Sequence, residues 1–289
     1  MTDSANSSHA VLPDVRRRGD GSAPATCAIR TRDLVRRFGS LVAVDGVSIE
    51  VQHGEIFGLI GPNGAGKSTM IKILTTLLPP TSGQAWVAGF NVVTQAALVR
   101  RRIGYVPQLL SADGALTGYE NLLLSAQLYS VPPKECAQRI HEALTMIGLL
   151  DAANTQVSHY SGGMVRSLEI AQSTLHHPAV LFADEPTVGL DPVAHRAVWE
   201  HIHELRERLG MTILVTTHNM EEADQHCERV AIMHHGRVMI AGSPASLKAR
   251  VGPTATLDDA FIHFTGDKLE QEGSFRELLR ARRTARRLS

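Results

Sequence analysis

The sequence predicts an α/β protein with a parallel core sheet, an antiparallel β-subdomain on its N-terminal side, and an α-helical subdomain inserted into the chain. Three observations carry that prediction. An apolar strand pattern at residues 55–60 runs directly into a glycine-rich loop and a helical pattern, the beginning of a parallel βα unit. Residues 117–177 then lose strand patterning and show helical spacing: Leu122, Leu123, Ala126 and Leu128; Ile140, Ala143, Leu144 and Ile147; Leu168, Ile170, Ala171 and Leu175. From 179 to 233 strand and helix patterns alternate again, as right-handed crossovers building a parallel sheet require.

The elements follow in order. Residues 1–25 are rich in Ser, Ala, Pro, Gly and Asp, carry Arg16, Arg17 and Arg18, and have no apolar period, so they are expected to be disordered. Segments 28–35 and 42–51 alternate apolar and polar residues, with Asp45-Gly46 between two short runs, which predicts antiparallel strands. After the glycine-rich loop a helix is predicted over 67–77, ended by Pro79-Pro80. Strands near 84–88 and 103–106 flank a helix at 94–102. Beyond the helical insertion come strands at 179–183, 211–216 and 228–233 and helices at 193–209 and 220–226. Residues 230–233 and 237–241 read as a hairpin joined by His235-Gly236, 243–264 as two short helices, and the end from Phe275, with six arginines, as a frayed helix or tail.

Composition removes several function classes. At 289 residues and 43% hydrophobic, the chain can bury one large α/β core or two small ones. Lys plus Arg equal Asp plus Glu at 29 each, so no global basic field argues for nucleic acid as a partner. Cys27, Cys136 and Cys227 stand singly, which fits a reducing compartment. The 14 histidines include His201-x-His203, but i,i+2 residues on a helix point to divergent faces, so no structural metal site is expected. No apolar run reaches the roughly 18–20 residues of a membrane span. The N-terminus lacks a charged region followed by an apolar one, so no secretory signal is expected and the chain is placed in the cytosol. No internal repeat is present.

Two constellations carry chemistry by themselves. Gly61, Pro62, Asn63, Gly64, Ala65, Gly66, Lys67, Ser68 and Thr69 form a phosphate loop between a predicted strand and a predicted helix. Its glycines let backbone N–H groups converge on phosphate oxygens, the helix start adds positive potential, Lys67 reaches the β and γ phosphates, and Ser68 can ligate Mg²⁺. The apolar strand 179–183 ends in Asp184-Glu185, which places two carboxylates at the C-terminal edge of the sheet, where open α/β sheets bind ligands. A carboxylate pair at a strand end is as often a helix cap as a catalytic pair.

Phe38, the phosphate loop, Gln108, Ser161-Gly162-Gly163-Met164, Asp184-Glu185, Asp191 and His218 occur in the order of motifs in ATP-binding-cassette (ABC) ATPases, and the chain resembles that family over most of its length. The resemblance implies a P-loop NTPase fold with ATP and Mg²⁺ as ligands. It implies a nucleotide-binding domain at 26–250, helical from about 110 to 177, followed by a C-terminal extension and basic tail at 251–289. By the same resemblance Phe38 stacks on adenine, Gln108 reads the γ-phosphate and Mg²⁺, and Asp184 holds Mg²⁺ through water. Glu185 polarises the attacking water, and His218 donates a hydrogen bond to the γ-phosphate or that water. Ser161, Gly162 and Gly163 cap the γ-phosphate bound by a second copy, and Asp191 crosses between the two copies. The plainer readings are Phe38 as a core aromatic, Ser161 as a helix cap and Asp191 as an Asp-Pro turn.

The chain departs from the common family pattern at three places. Tyr160 stands where leucine is usual, Met164 where glutamine is usual, and Ala183 is small for the last apolar position of its strand. Methionine there is familiar in drug-exporter ATPases. The stretches at 36–47, 189–205 and 256–266, the last containing TLDDAF, resemble the daunorubicin-resistance type of exporter ATPase. That resemblance implies a homodimer of nucleotide-binding domains docked on a separate integral membrane permease, peripheral to the cytoplasmic face of the membrane. A soluble ATP-sensing regulator is the alternative, and Glu185 and His218 being present together argue against it. A translation cassette protein would carry two cassettes, and a chromosome-structure ATPase a long coiled coil between Lys67 and Ser161; neither feature is present.

Overall fold

A computed structural model describes residues 27–266. Its elements are β1 (Cys27–Phe38), β2 (Leu41–Val47), β3 (Glu50–Gln52), β4 (Ile56–Ile60), α1 (Lys67–Leu74), β5 (Ser82–Val87), β6 (Phe90–Asn91), α2 (Ala96–Arg100) and β7 (Ile103–Val106). These are followed by α3 (Gly118–Leu128), α4 (Pro133–Met146), a 3-10 turn (Val157–His159), α5 (Gly162–Thr174), β8 (Val180–Asp184), α6 (Pro192–Leu209) and β9 (Thr212–Thr217). The last are α7 (Met220–His226), β10 (Arg229–His234), β11 (Arg237–Gly242), α8 (Pro244–Ala249) and α9 (Leu257–Thr265).

The strands form two sheets. One is antiparallel, in the order β2-β1-β5-β6 with β3 also paired to β1. The other runs β11-β10-β4-β9-β8-β7, parallel throughout except for the antiparallel edge strand β11. Strands β4, β8 and β9 are buried at every position, the pattern of parallel strands covered on both faces. Their side chains divide by the two-residue period of a strand. Phe57, Leu59, Val180, Phe182 and Leu214 face a core shared with the antiparallel sheet and α1. Ile56, Ile60, Leu181, Ala183, Ile213 and Val215 face a second core with Trp199 of α6, Ala223 of α7 and Phe261 of α9. The helical subdomain has a third core, in which Leu122, Ile140, Leu144, Leu168 and Leu175 are almost entirely buried.

Two local expectations are corrected. Asp45-Gly46 lies inside β2 and does not join two strands; the turn is at Gly39-Ser40, where Gly39 has φ +58°. Asp45 and Gly46 instead stand together opposite the single residue Val35 in a bulge, since the register passes from Leu34 opposite Val47 to Arg36 opposite Val44. The helix α1 ends at Leu74, well before Pro79-Pro80, because Thr76 has φ +66° and leaves the helical region. The expected disorder at 1–25 and the arginine-rich tail lie outside the described residues.

The placement of α5 matters most for the site. It lies directly on β7: a Cβ added at Gly104 would stand 2.3 Å from the carbonyl oxygen of Ser173. Only glycine admits that approach. The helix that begins at Ser161 therefore runs beside the strand that leads to Gln108.

Candidate functional site

The phosphate loop leaves β4 and enters α1 with no spare room around its glycines. Gly61 has φ +154° and a Cβ there would sit 2.1 Å from the Met233 carbonyl; Gly66, φ +105°, would meet the Ala43 carbonyl at 2.2 Å. The loop is thus held between β10 and β2. Lys67 is 5% exposed and folds back along the loop, donating from Nζ to Gly61 O (2.7 Å) and Pro62 O (3.1 Å). A cleft of about 540 Å³ opens over it, lined by Phe38, Leu41, Asn63, Lys67, Gln108 and Glu185 among others. That volume falls within the usual range of small-molecule sites.

Phe38 is not a core residue. It is 42% exposed at the mouth of the cleft, and the Arg36 guanidinium sits 4.5 Å from its ring centroid. The cation covers one region of the ring by cation–π attraction and steadies an aromatic surface at the cleft.

The ends of β8 and β9 bring the carboxylates to the loop. Asp184 Oδ1 accepts from Ser68 Oγ (3.1 Å) and Thr216 Oγ1 (2.6 Å), so oxygen donors from three elements converge. Ser68 and Asp184 together form the kind of hard oxygen set that suits Mg²⁺. Glu185 follows at φ +50°, a conformation rare for a non-glycine residue, held by its N–H donating to Thr216 Oγ1 at 2.9 Å. This kink turns the side chain between an ammonium and an imidazole: Lys67 Nζ at 3.3 Å from Oε1 and His218 Nδ1 at 2.8 Å from Oε2.

The electrostatics follow from that arrangement. Burial alone would raise the Glu185 carboxyl, but the hydrogen bond from His218 and the charge of Lys67 outweigh it and hold it below 4.5. The hydrogen bond to Glu185 raises His218 above 6.5 against its partial burial. Burial lowers Lys67, with Glu185 and Asp184 partly offsetting it. The raised His218 contributes stability fully below 6.5, lost as pH climbs through its folded-state value; the lowered Glu185 contributes fully above 4.5, lost as pH falls through its own. The contact is therefore complete between those two values and fades on either side. An NMR titration of His218 is expected to show a midpoint above 6.5 that moves back toward 6.5 in Glu185→Gln. An unchanged midpoint in that variant would contradict the coupling.

Ser161, Gly162, Gly163 and Asp191 do not join this cleft. Ser161 caps α5, its Oγ accepting from Met164 N (3.2 Å), and is exposed with Gly162. Asp191 caps α6, accepting from Val193 N and Ala194 N, which lowers its carboxyl below the usual range. The two helix starts touch, since a Cβ at Gly163 would lie 2.4 Å from Ala194 Cβ. Tyr160, just before the cap, packs its ring in the helical core and donates to Ala152 O (2.8 Å), while Gly118 leaves room for its hydroxyl. Ala183 is fully buried between its sheet neighbours Val106 and Val215.

A family model described as "ABC transporter" matches residues 44–188, half of the chain. The chain is also 43% identical to the daunorubicin/doxorubicin resistance ATP-binding protein DrrA of Streptomyces peucetius, over 78% of this chain and 68% of that protein. The chain belongs to the ABC transporter family. It is an ATPase of that family, and its fold agrees. A structure described as an ATP-binding subunit of an ABC transporter superposes with TM-score 0.74 at 30% identity, covering 82% of this chain and 99% of that one. The ATP-binding cassette MJ0796, in a dimeric post-hydrolysis state with ADP and Pi, superposes with TM-score 0.66 at 27% identity, covering 74% of this chain and 98% of that one.

Within this ABC ATPase, sequence reasoning passed over three groups. Leu41, Val42, Ala43, His235 and Gly236 line the cleft because the β1–β2 and β10–β11 turns close over the phosphate loop, a pairing with no local signal. Glu222 of α7, 4% exposed, accepts from Trp199 Nε1 (2.7 Å), Thr217 Oγ1 (2.5 Å) and Thr187 Oγ1, and lies 3.0 Å from His195 Nε2. It ties the helix that starts at Asp191 to the strand that ends beside His218. Arg166 and Glu169 of α5 are buried as an ion pair. Charges three apart on the apolar face of a predicted helix were the available signal for that pair.

Proposed function

We propose that this chain powers an exporter of drugs, antibiotics or lipid-like molecules, as one of two identical ATPase subunits that close on ATP and dock on a separate membrane permease. One observation carries the two-copy part of the reading: Ser161 and Gly162 are exposed, and Gly163 half-buried behind them, at a helix start outside the chain's own cleft. Free N–H groups at a helix start suit an anion, and a second copy facing this one would supply it. The similarity to DrrA supports export as the direction and drug-like molecules as the cargo.

In this reading Phe38 stacks on adenine, and the N–H groups of residues 61–69 and Lys67 hold the phosphates. Ser68 and Asp184, with Gln108 at the cleft edge, would hold a magnesium ion, which supplies neutralisation of phosphate charge when bound. Glu185, kept ionised by the hydrogen bond from His218 and the charge of Lys67, orients and polarises the attacking water. His218 donates to the γ-phosphate or to that water. Asp191 crosses between the two copies.

No helix of the described residues is long and apolar enough to cross a membrane. A permease is therefore the proposed anchor at the cytoplasmic face, and an exposed apolar surface beside Gln108 supports one. Leu109 and Leu110 are 81% and 52% exposed, and Leu128, 75% exposed, lines a neighbouring groove with Tyr105, Pro107 and Tyr129. Coexpression with a candidate permease is expected to bring this chain to the membrane fraction and to raise its ATP turnover. A chain that stays unattached and equally active with that protein present would favour the regulatory reading instead.

A further inference from the structure

We propose that Arg166 and Glu169 are positioning residues that clamp the loop carrying Gln108 to the helix carrying Ser161, so that the two move as one body during the ATPase cycle. This rests on the roles proposed above for Gln108 and Ser161. Residues 107–113, between β7 and α3, form neither helix nor strand, so the shape of this segment has to come from elsewhere.

It comes from α5. Arg166 and Glu169 are 2% and 3% exposed and pair at 2.9 Å. The arginine fork donates Nη1 to Pro107 O (2.7 Å) and Nη2 to Gln108 O (2.7 Å). Glu169 Oε1 accepts from Ser111 N, from Ser111 Oγ (3.1 Å) and from Ala112 N (3.3 Å). The cation thus takes the carbonyls at the start of the loop and the anion takes the amides at its end. Between them they hold the loop at 107–108 and at 111–112, with Gln108 lining the cleft over Lys67.

A buried ion pair is an expensive way to pack a helix. Removing two charges from water costs several kcal/mol per ion in general, and apolar residues of similar size often serve stability as well or better. Arg166 Nε is left with no partner, which adds to that cost. The pair's remaining polar atoms address one another or this one loop. What an apolar pair could not provide is directional control of the Gln108 backbone relative to Ser161, which begins the same helix little more than one turn earlier.

The test is hydrolysis measured against Mg²⁺ concentration in the full chain. Arg166→Lys, whose single ammonium cannot fork to two carbonyls, and Glu169→Gln are each expected to lower kcat about tenfold and to raise the Mg²⁺ needed for half-maximal rate severalfold, as losses around a metal site do. Binding of a fluorescent ATP analogue without Mg²⁺ is expected to be unchanged. Combined with Gln108→Ala, each should add little to the loss from Gln108→Ala alone. The double variant Arg166→Met/Glu169→Leu separates this role from folding: it should melt no lower than the wild type yet hydrolyse about tenfold more slowly.

Wild-type turnover in that apolar double variant, or additive losses with a defective Gln108→Ala, would overturn the clamp alone. A Gln108→Ala enzyme with normal Mg²⁺ dependence would overturn the role given to Gln108 itself, and the clamp with it.

Discussion

Glu185→Gln is expected to lower ATP turnover by about 10²–10⁴-fold, the usual contribution of a positioned general base, with no loss of ATP affinity. The variant keeps the side chain's shape and its place at the kink after β8, where Thr216 holds the backbone. It removes the negative charge that lies 3.3 Å from Lys67 Nζ, so the lysine is more available to phosphate, not less. ATP should then persist between two copies that cannot discharge it. Gel filtration with ATP and Mg²⁺ should show the variant as a dimer, with nucleotide bound in proportion to protein. A variant that hydrolysed at the wild-type rate, or remained a monomer with ATP saturating, would contradict the role given to Glu185.

Lys67→Ala is expected to weaken ATP binding by about 10–150-fold, since a hydrogen bond to a charged group is worth roughly 1.5–3 kcal/mol and each 1.4 kcal/mol is tenfold. The effect has two sources. A phosphate countercharge is lost. The Nζ hydrogen bonds to Gly61 O and Pro62 O are lost as well, and these brace the loop whose N–H groups must converge on the ligand. Glu185 also loses the charge of its lysine partner, so its carboxyl should move up toward the ordinary range. Calorimetric titration with ATP measures the affinity directly. An unchanged affinity would exclude Lys67 from phosphate binding and would leave the loop's backbone to hold the nucleotide alone.

The two variants act on one constellation and should therefore be coupled. Lys67 and Glu185 are within 3.3 Å, 5% and 6% exposed, and share no solvent that could screen them apart. A charge-neutral pair carrying both substitutions is expected to bind ATP better than Lys67→Ala alone, because the unpaired carboxylate that would repel phosphate is gone.

Much of the architecture was legible in the residues because it depends on short-range stereochemistry. The apolar runs of β4 and β8, the glycines of residues 61–69 and the carboxylates at the end of β8 each declare themselves within a dozen residues. The errors came where local signals compete. Asp45-Gly46 has the composition of a turn but becomes a bulge, because β1 extends to Phe38 and sets a register that β2 must follow. Pro79-Pro80 is a strong helix stop, yet Thr76 had already left the helical region.

What the sequence by itself determined is the set of phosphate-facing and carboxylate groups and their order along the chain, since each is prescribed by its own backbone geometry. What only the tertiary structure decided is which of them meet. Ser68 reaches Asp184 across 116 positions, His218 meets Glu185 across 33, and Arg166 takes the Gln108 carbonyl across 58. These contacts exist because two sheets and α5 pack to closest approach, at Gly104 against Ser173 and at Gly66 against Ala43. Packing is a property of surfaces brought together from distant segments, and no local pattern encodes it. Ser161 and Gly162 show the same division: the helix cap is written in the sequence, while their exposure outside the chain's own cleft is a fact of the fold.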